Sequence, residues 1–261
     1  DRVFLLSMPE RDASSEGEGR AHRLCEKLGV TCIVEDITAS LDAMGCYRRR
    51  DDAIRSVFPD YGPDWKQKIT IADGGWMPHF NIVVQNPDGT LFEQRMPVGT
   101  YLTVVAATNF KQRVRKNLEY FHAERLNYAV LGTPNRLEYD LGFFVRGGDG
   151  LADIKPIAHL YKTQVYALAE YLGVPEEIRS QPPSTDTYSL PQTQEEFYFA
   201  LSYQAADLVL YGMYHGIAPS RIAAAIGCDT QQVESVLKDF EGKKRVAMRT
   251  LRNAMVLEDA P

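Results

Sequence analysis

The run Asn127–Lys162, NYAVLGTPNRLEYDLGFFVRGGDGLADIKPIAHLYK, decides how the rest of the chain is read. Tyr128–Leu131 is short, apolar and β-leaning, the length of a buried strand. It leads into Gly132-Thr133-Pro134-Asn135, where glycine permits a tight exit, threonine offers a hydroxyl and proline stops the strand. Glu138 and Asp140 follow, then Gly147-Gly148-Asp149-Gly150 with Asp153 close behind. Lys162 stands at the start of an amphipathic helix, Thr163 to Leu172, which Gly173 and Pro175 close. A hydroxyl, carboxylates, a glycine-rich turn and an ammonium group are thus expected at the carboxyl end of a parallel strand. Open α/β sheets take their ligands there. Carboxylates for a divalent cation, with hydroxyl and ammonium groups for phosphate oxygens, suit a nucleoside triphosphate.

At these residues the chain resembles the NAD synthetase family, a branch of the ATP pyrophosphatases. The family run has the form G-T-x-N-x-x-E, then glycine, an aromatic pair and G-D-G with a further aspartate, then proline, leucine and lysine. Gly132, Thr133, Asn135, Glu138, Gly142, Phe143, Gly148, Asp149, Gly150, Asp153, Pro156, Leu160 and Lys162 supply it in order. A lone G-D-G carries little weight, whereas an ordered set of this size is specific to the family and silent about the substrate.

Upstream, Val3–Leu6 reads as a strand and Ser7-Met8-Pro9-Glu10 as its exit. Ser14-Ser15-Glu16 opens a helix to about Lys27, and Val30–Glu35 reads as a second strand. This alternation predicts α/β architecture: a doubly wound, mostly parallel sheet flanked by helices, Rossmann-like and of the adenine nucleotide alpha-hydrolase type the resemblance implies. Where the family has Arg-Leu-Pro, whose arginine helps hold the nucleotide base, this chain has Ser7-Met8-Pro9. The family's Ser-Gly-Gly-x-Asp-Ser loop, a nest for pyrophosphate, does not occur in these 261 residues. Truncation ahead of residue 1 is the expectation, with loss of ATP chemistry as the competing one.

Residues 40–98 fit the family poorly and read as an insertion. Phe80–Val84 and Leu91–Arg95 flank Pro87-Asp88-Gly89, a hairpin signal. The run Arg48-Arg49-Arg50-Asp51-Asp52 reads as a solvated face. Thr100 to Leu126 reads as one long helix whose apolar face is Leu102, Val105, Ala106, Val114, Leu118 and Phe121. In it, Asn109, Arg113 and Arg115 match the family's G-N-x-x-A-R-x-R-M. The resemblance places them near the dimer interface and the dinucleotide. Arg113 and Arg115 are two apart and so do not share one helix face.

After Lys162, Gln181-Pro182-Pro183-Ser184-Thr185-Asp186-Thr187 stands at the family's P-[ST]-A-D-L. The resemblance makes Ser184 the second phosphate hydroxyl and Asp186 the matching acid; Glu195 and Ala200 fall on an acid and a glycine position. Residues 205–261 read as a helical C-terminal cap, in which Lys243-Lys244-Arg245 resembles the family's basic cluster. Pro219 to Phe240 has helix-turn-helix spacing. A formal net charge of −6 and the lack of a basic arm argue against nucleic acid.

One domain spanning 1–261 is expected, and with 44% hydrophobic residues it can build a sizeable core. No apolar run approaches a membrane span or a signal peptide. Cys25, Cys32, Cys46 and Cys228 form no Cys-x-x-Cys pair, and thiols in a reducing cytoplasm are the expectation. His122 and His159 read as packing or surface residues.

The resemblance implies an ammonia-dependent ligase. It adenylates the carboxylate of nicotinic acid adenine dinucleotide with ATP as substrate, releases pyrophosphate, and amidates with ammonia. It implies Mg²⁺ at Glu138, phosphate contacts from Thr133, Lys162 and Ser184, and Asp149 beside the reacting carboxylate or ammonia. The dinucleotide would meet Asn109, Arg113, Arg115, Phe143 and Asp149. A homodimer, and a separate glutaminase where free ammonia is not the nitrogen source, complete the implied partners. Two alternatives remain open at the sequence level: the same adenylation on another acid or carbonyl, and a non-catalytic nucleotide-binding or regulatory protein.

Overall fold

Strand β1 (Leu5–Ser7), helix α1 (Ser15–Leu28) and strand β2 (Cys32–Val34) form the first winding, and β1 pairs with β2 in parallel, Leu5 opposite Cys32. Parallel neighbours need a crossover, which α1 provides, with Gly29 at φ +63° ending it. In this computed structural model the structure describes residues 3–13, 15–72, 79–184, 187–194, 198–199 and 201–252. Ser14, Thr185, Asp186, Glu195 and Ala200, which the sequence singles out, lie outside them. The chain divides into two compact units, Asp1–Leu126 with Ala169–Ala200, and Asn127–Leu168 with Leu201–Pro261.

In the first unit, α2 (Thr38–Ala43) and α3 (Cys46–Arg55) meet at Gly45, whose φ of +70° makes the corner. Strands β3 (Lys66–Ala72), β4 (His79–Gln85) and β5 (Leu91–Arg95) form an antiparallel meander. The expected hairpin is β4–β5, turning at Gly89 with φ +85°. β3 is the strand the sequence reading missed: its Ile69 faces Ile82, and both are fully buried. The core under this sheet gathers Ile54, Tyr61, Ile69, Ile82, Val84, Met96, Val104 and Tyr188. Full burial of one such aliphatic side chain contributes about 1.5–3 kcal/mol. β5 is exposed along its whole length, and Glu93 and Arg95 blunt that edge.

Helix α4 (Val98–Leu126) is the long helix expected, but its buried stripe differs. Val104, Ala107, Thr108, Lys111, Val114 and His122 face inward, while Leu102 and Phe121 are exposed at 58% and 57%. The stripe keeps helical spacing and includes polar residues because partners on neighbouring segments neutralise them.

Helices α5 (Arg136–Leu141), α6 (Lys162–Tyr171), α7 (Glu176–Arg179), α8 (Tyr203–His215), α9 (Pro219–Ile226) and α10 (Thr230–Thr250) follow. α7 belongs to the first unit. In the second unit α10 packs on α5, α8 and α9, with Leu210, Ile222, Val233 and Phe240 buried among them. The α9–Gly227–α10 turn has the expected helix-turn-helix spacing, spent here on packing within this bundle. The strand expected at Tyr128–Leu131 shortens to one parallel bridge, Leu131 to Ile154. Val130 alone is buried there, and its N–H goes to the Asp153 carboxylate at 2.8 Å rather than to a ladder. The parallel windings fit the Rossmann-like α/β class. Among the described residues no helix is long and apolar enough to cross a membrane.

Candidate active site

The loop Gly132–Glu138 is built by close approach and capping. A Cβ on Gly132 would stand 2.8 Å from that of Ala152, so only glycine lets the two segments meet. Asn135, 1% exposed, caps α5: its Oδ1 accepts from the Glu138 N–H at 3.3 Å, and Glu138 Oε2 accepts from the Asn135 N–H at 2.8 Å. This capping box fixes the Glu138 carboxylate at a helix N-terminus. Thr133 is exposed and Glu138 half-buried. Arg136 meets Asp140 at 3.3 Å, and its guanidinium lies over the rings of Tyr161 and Tyr214. Tyr214 donates to Asp140 at 2.8 Å, and burial together with that carboxylate pushes its pKa up.

The glycine-rich turn holds Asp149 in a structural contact. Asp149 Oδ1 accepts from the Val145 N–H at 2.8 Å, and the N–H groups of Gly148 and Gly150 return to the Val145 carbonyl. A Cβ on Gly150 would meet Phe144 at 2.4 Å. Asp149 therefore braces its own turn, and one carboxylate oxygen is engaged in doing so.

Lys162 is the first residue of α6, as expected. Its Nζ lies 5.5 Å from the centre of the Tyr166 ring and 5.4 Å from that of Tyr203, so two aromatic faces flank the ammonium. The N–H groups of Lys162 and Thr163 go to the buried carboxylate of Asp207 at 3.2 and 2.8 Å. The Arg136 N–H donates to the Leu160 carbonyl, so the starts of α5 and α6 are tied together. Thr133, Glu138 and Lys162 thus flank a single backbone junction in the second unit, which also holds Phe143 and Asp149.

Asn109, Arg113, Arg115 and Ser184 belong to the first unit. Asn109, Arg113 and Arg115 are half-buried on α4. Ser184 bridges Thr193 in antiparallel fashion, and Gln194 N–H donates to the Pro183 carbonyl. Beside them is a charged cluster that sequence reading missed. Lys111, fully buried, donates to Glu10 Oε1 at 2.9 Å, Asp12 Oδ2 at 2.7 Å and the Thr187 carbonyl at 2.7 Å. Tyr47 donates to Glu10 at 2.8 Å. Arg50, expected on a solvated face, is 2% exposed and pairs with Asp12 and Asp51. Burial works to raise the Asp12 pKa, but Arg50 and Lys111 outweigh it and hold the carboxyl below its usual value. His122, read as a packing residue, is buried: Nδ1 accepts from Arg125, so Nε2–H donates to Glu35.

Neither of two hollows formed by the described residues is lined by the expected set. One, about 280 Å³, lies between α5 and α10 with Tyr139, Asp140, Lys244 and Arg252 on its walls. Lys244 there approaches the Tyr214 ring to 4.0 Å, so one cation of the C-terminal basic cluster reaches α5's neighbourhood. The other, about 490 Å³, opens between α3 and α4 at Arg48, Arg49 and Thr100. Among the described residues no three His, Cys, Asp or Glu side chains group to hold a metal.

A sequence model of the NAD synthase family matches residues 77–246, well over half of the chain. The chain belongs to the NAD synthase family. Thr133, Glu138, Asp149, Lys162, Ser184 and the three α4 residues all lie inside the matched stretch. The NH(3)-dependent NAD(+) synthetase of Rhizobium meliloti (strain 1021) is 56% identical over 246 residues, covering 93% of this chain and 74% of that protein. Two solved structures carry the fold at 21% identity, each covering 98% of this chain and 78% of its own: an NMN synthetase from Francisella tularensis, TM-score 0.63, and an NH3-dependent NAD synthetase from Campylobacter jejuni, TM-score 0.57. For this NAD synthase family member those two likenesses speak to the fold alone.

Proposed function

We propose that this NAD synthase family member is a C–N-bond-forming ligase that makes NAD from nicotinic acid adenine dinucleotide, ATP and ammonia. The observation that carries the reading is the 56% identity, across 93% of the chain, to a relative named for ammonia-dependent NAD synthesis. A carboxylate resists ammonia because its oxygens are charged and leave poorly. Attack of the dinucleotide carboxylate on the α-phosphorus of ATP forms an acyl adenylate and expels pyrophosphate. Ammonia then adds to the acyl carbon, AMP leaves with the carboxyl oxygen, and one proton is released.

In this reading Lys162, Thr133 and Ser184 hold the phosphates as charge builds on the departing pyrophosphate. Lys162 suits that work as a point charge, and its flanking rings keep the stem in place. Glu138 fits Mg²⁺: its carboxylate is oriented by the capping box, and this ion is ordinarily held by one or two carboxylates plus substrate phosphates. When bound, Mg²⁺ supplies positive charge to the triphosphate. Asp149 holds ammonium and takes its proton. Asn109, Arg113, Arg115 and Phe143 contact the dinucleotide. A homodimer through α4 would cover Val98, Leu102 and Phe121, which are exposed apolar residues. The compartment is the cytoplasm, and nitrogen comes as free ammonia or from a separate glutaminase.

The test is turnover by the full-length protein with nicotinic acid adenine dinucleotide, ATP, Mg²⁺ and ammonium. NAD, AMP and pyrophosphate should appear in equal amounts. No AMP with this acceptor, together with ATP–pyrophosphate exchange on another acid, would move the chemistry to a different substrate. Neither product with any acid would leave a nucleotide-binding protein.

A further inference from the structure

Resting on the proposed phosphate role of Ser184, the geometry around α4 points to how that serine is held. We propose that Lys111 is a positioning residue for the Ser184 segment, acting through the Thr187 carbonyl.

Lys111 is fully buried, and its ammonium has three N–H donors. Each finds one acceptor: Glu10 Oε1, Asp12 Oδ2 and the Thr187 carbonyl, at 2.9, 2.7 and 2.7 Å. The two carboxylates are themselves fixed, Glu10 by the Tyr47 hydroxyl and Asp12 by Arg50. The ammonium therefore has no slack, and the carbonyl it grips is three residues beyond Ser184. A buried cation is costly unless its donors are satisfied, and the Thr187 carbonyl satisfies the third donor of Lys111, so the burial of this ammonium and the position of that carbonyl are linked.

The loop is pinned from a second side. Ser184 bridges Thr193, and Gln194 N–H donates to the Pro183 carbonyl, which makes a stem. Beyond the stem, Tyr188 is buried in the core beneath the antiparallel sheet. Leu190 N–H donates to the Gln67 carbonyl, the Gln67 N–H to Ser189 Oγ, and Gln192 Nε2 to the Ile69 carbonyl. The meander β3–β5 thus offers its β3 edge as a dock for the segment that carries Ser184, and Lys111 clamps the same segment to the exit of β1. The sheet whose β4–β5 hairpin reads in the sequence as an insertion is, on this proposal, part of the support for a phosphate contact.

The experiment is a double-mutant cycle on the full-length protein, reading KM for ATP and kcat of NAD synthesis well below each variant's melting temperature. Ser184→Ala alone should raise KM for ATP roughly tenfold, and Lys111→Met should do the same with the KM for the dinucleotide unmoved. The double variant should match either single one, since each removes the same contact. If Lys111→Met does not fold, Gln192→Ala takes its place, because it loosens the loop at β3 and leaves the charges paired. An unchanged KM for ATP in Ser184→Ala removes the phosphate role of Ser184 and this proposal with it. A raised KM in Ser184→Ala that multiplies independently with the Lys111→Met or Gln192→Ala effect overturns the positioning role and leaves Ser184 where it stands.

Discussion

Asp207, on α8, receives the backbone N–H groups of both Lys162 and Thr163, and so caps the helix that Lys162 begins. The carboxylate is 5% exposed and stands at the positive end of α6. Side-chain capping by a residue from a different helix fixes where α6 starts, and with it the root of the Lys162 side chain. Asp207→Ala should cost about 1–3 kcal/mol of stability, the desolvation penalty of orphaned donors. Asp207→Asn should recover about half of it, since the amide oxygen still accepts. Thermal and urea unfolding of the two variants measures the difference.

Lys162 itself should be dispensable for folding, since it is only half-buried and its described contacts are two ring faces. Lys162→Ala is expected to lower kcat by about a hundredfold or more, the scale of a lost electrostatic contact to a leaving group. The melting curve should remain close to that of the unaltered protein. Unchanged turnover would remove Lys162 from the phosphate site.

The Asp12 carboxyl links stability to pH. Its folded pKa is below the unfolded value, so its stabilising contribution is present above about pH 3.9 and is lost as the pH falls through the folded value. Denaturant unfolding at pH 5 to 8 should therefore show a constant gap between the unaltered protein and Asp12→Asn. Below about pH 4 the gap should narrow. A gap that holds steady into the acid range would mean that Arg50 and Lys111 do not favour the charged form.

Two glycines should respond oppositely to alanine. Gly142 ends α5 at φ +79°, and a Cβ there would stand 2.9 Å from the Ala247 Cβ on α10. Gly142→Ala should destabilise by about 1–2 kcal/mol from the left-handed backbone alone, and more from the contact. Gly17, within α1, has open space around its Cβ position. Gly17→Ala should stabilise by about 0.5–1 kcal/mol. Paired melting curves decide both.

Much of the fold could be read in the chain because its signals are local. The parallel β1–α1–β2 unit, the β4–β5 hairpin and the start of α6 each announce themselves through spacing and turn residues. What failed to show depends on distant partners. Lys111 and His122 are buried on α4, and a pattern search for apolar positions passes over them, because Glu10 and Glu35 that neutralise them are elsewhere in the chain. Arg50 looked solvated within an arginine run for the same reason. The α5 helix did carry a local signal, Asn135 with Glu138 three residues on, which is a capping box as well as a family motif. Tyr128–Leu131 misled because four apolar residues satisfy a strand pattern whether or not a neighbour is there to pair with them.

The central claim is that ATP activates a carboxylate by adenylation. Nicotinic acid adenine dinucleotide labelled with ¹⁸O in both oxygens of its nicotinate carboxylate tests it most directly, through the mass of the AMP formed with ATP, Mg²⁺ and ammonium. The account predicts one ¹⁸O in the phosphate of every AMP released and one retained in the NAD amide. Unlabelled AMP, or label in inorganic phosphate or pyrophosphate, would contradict it.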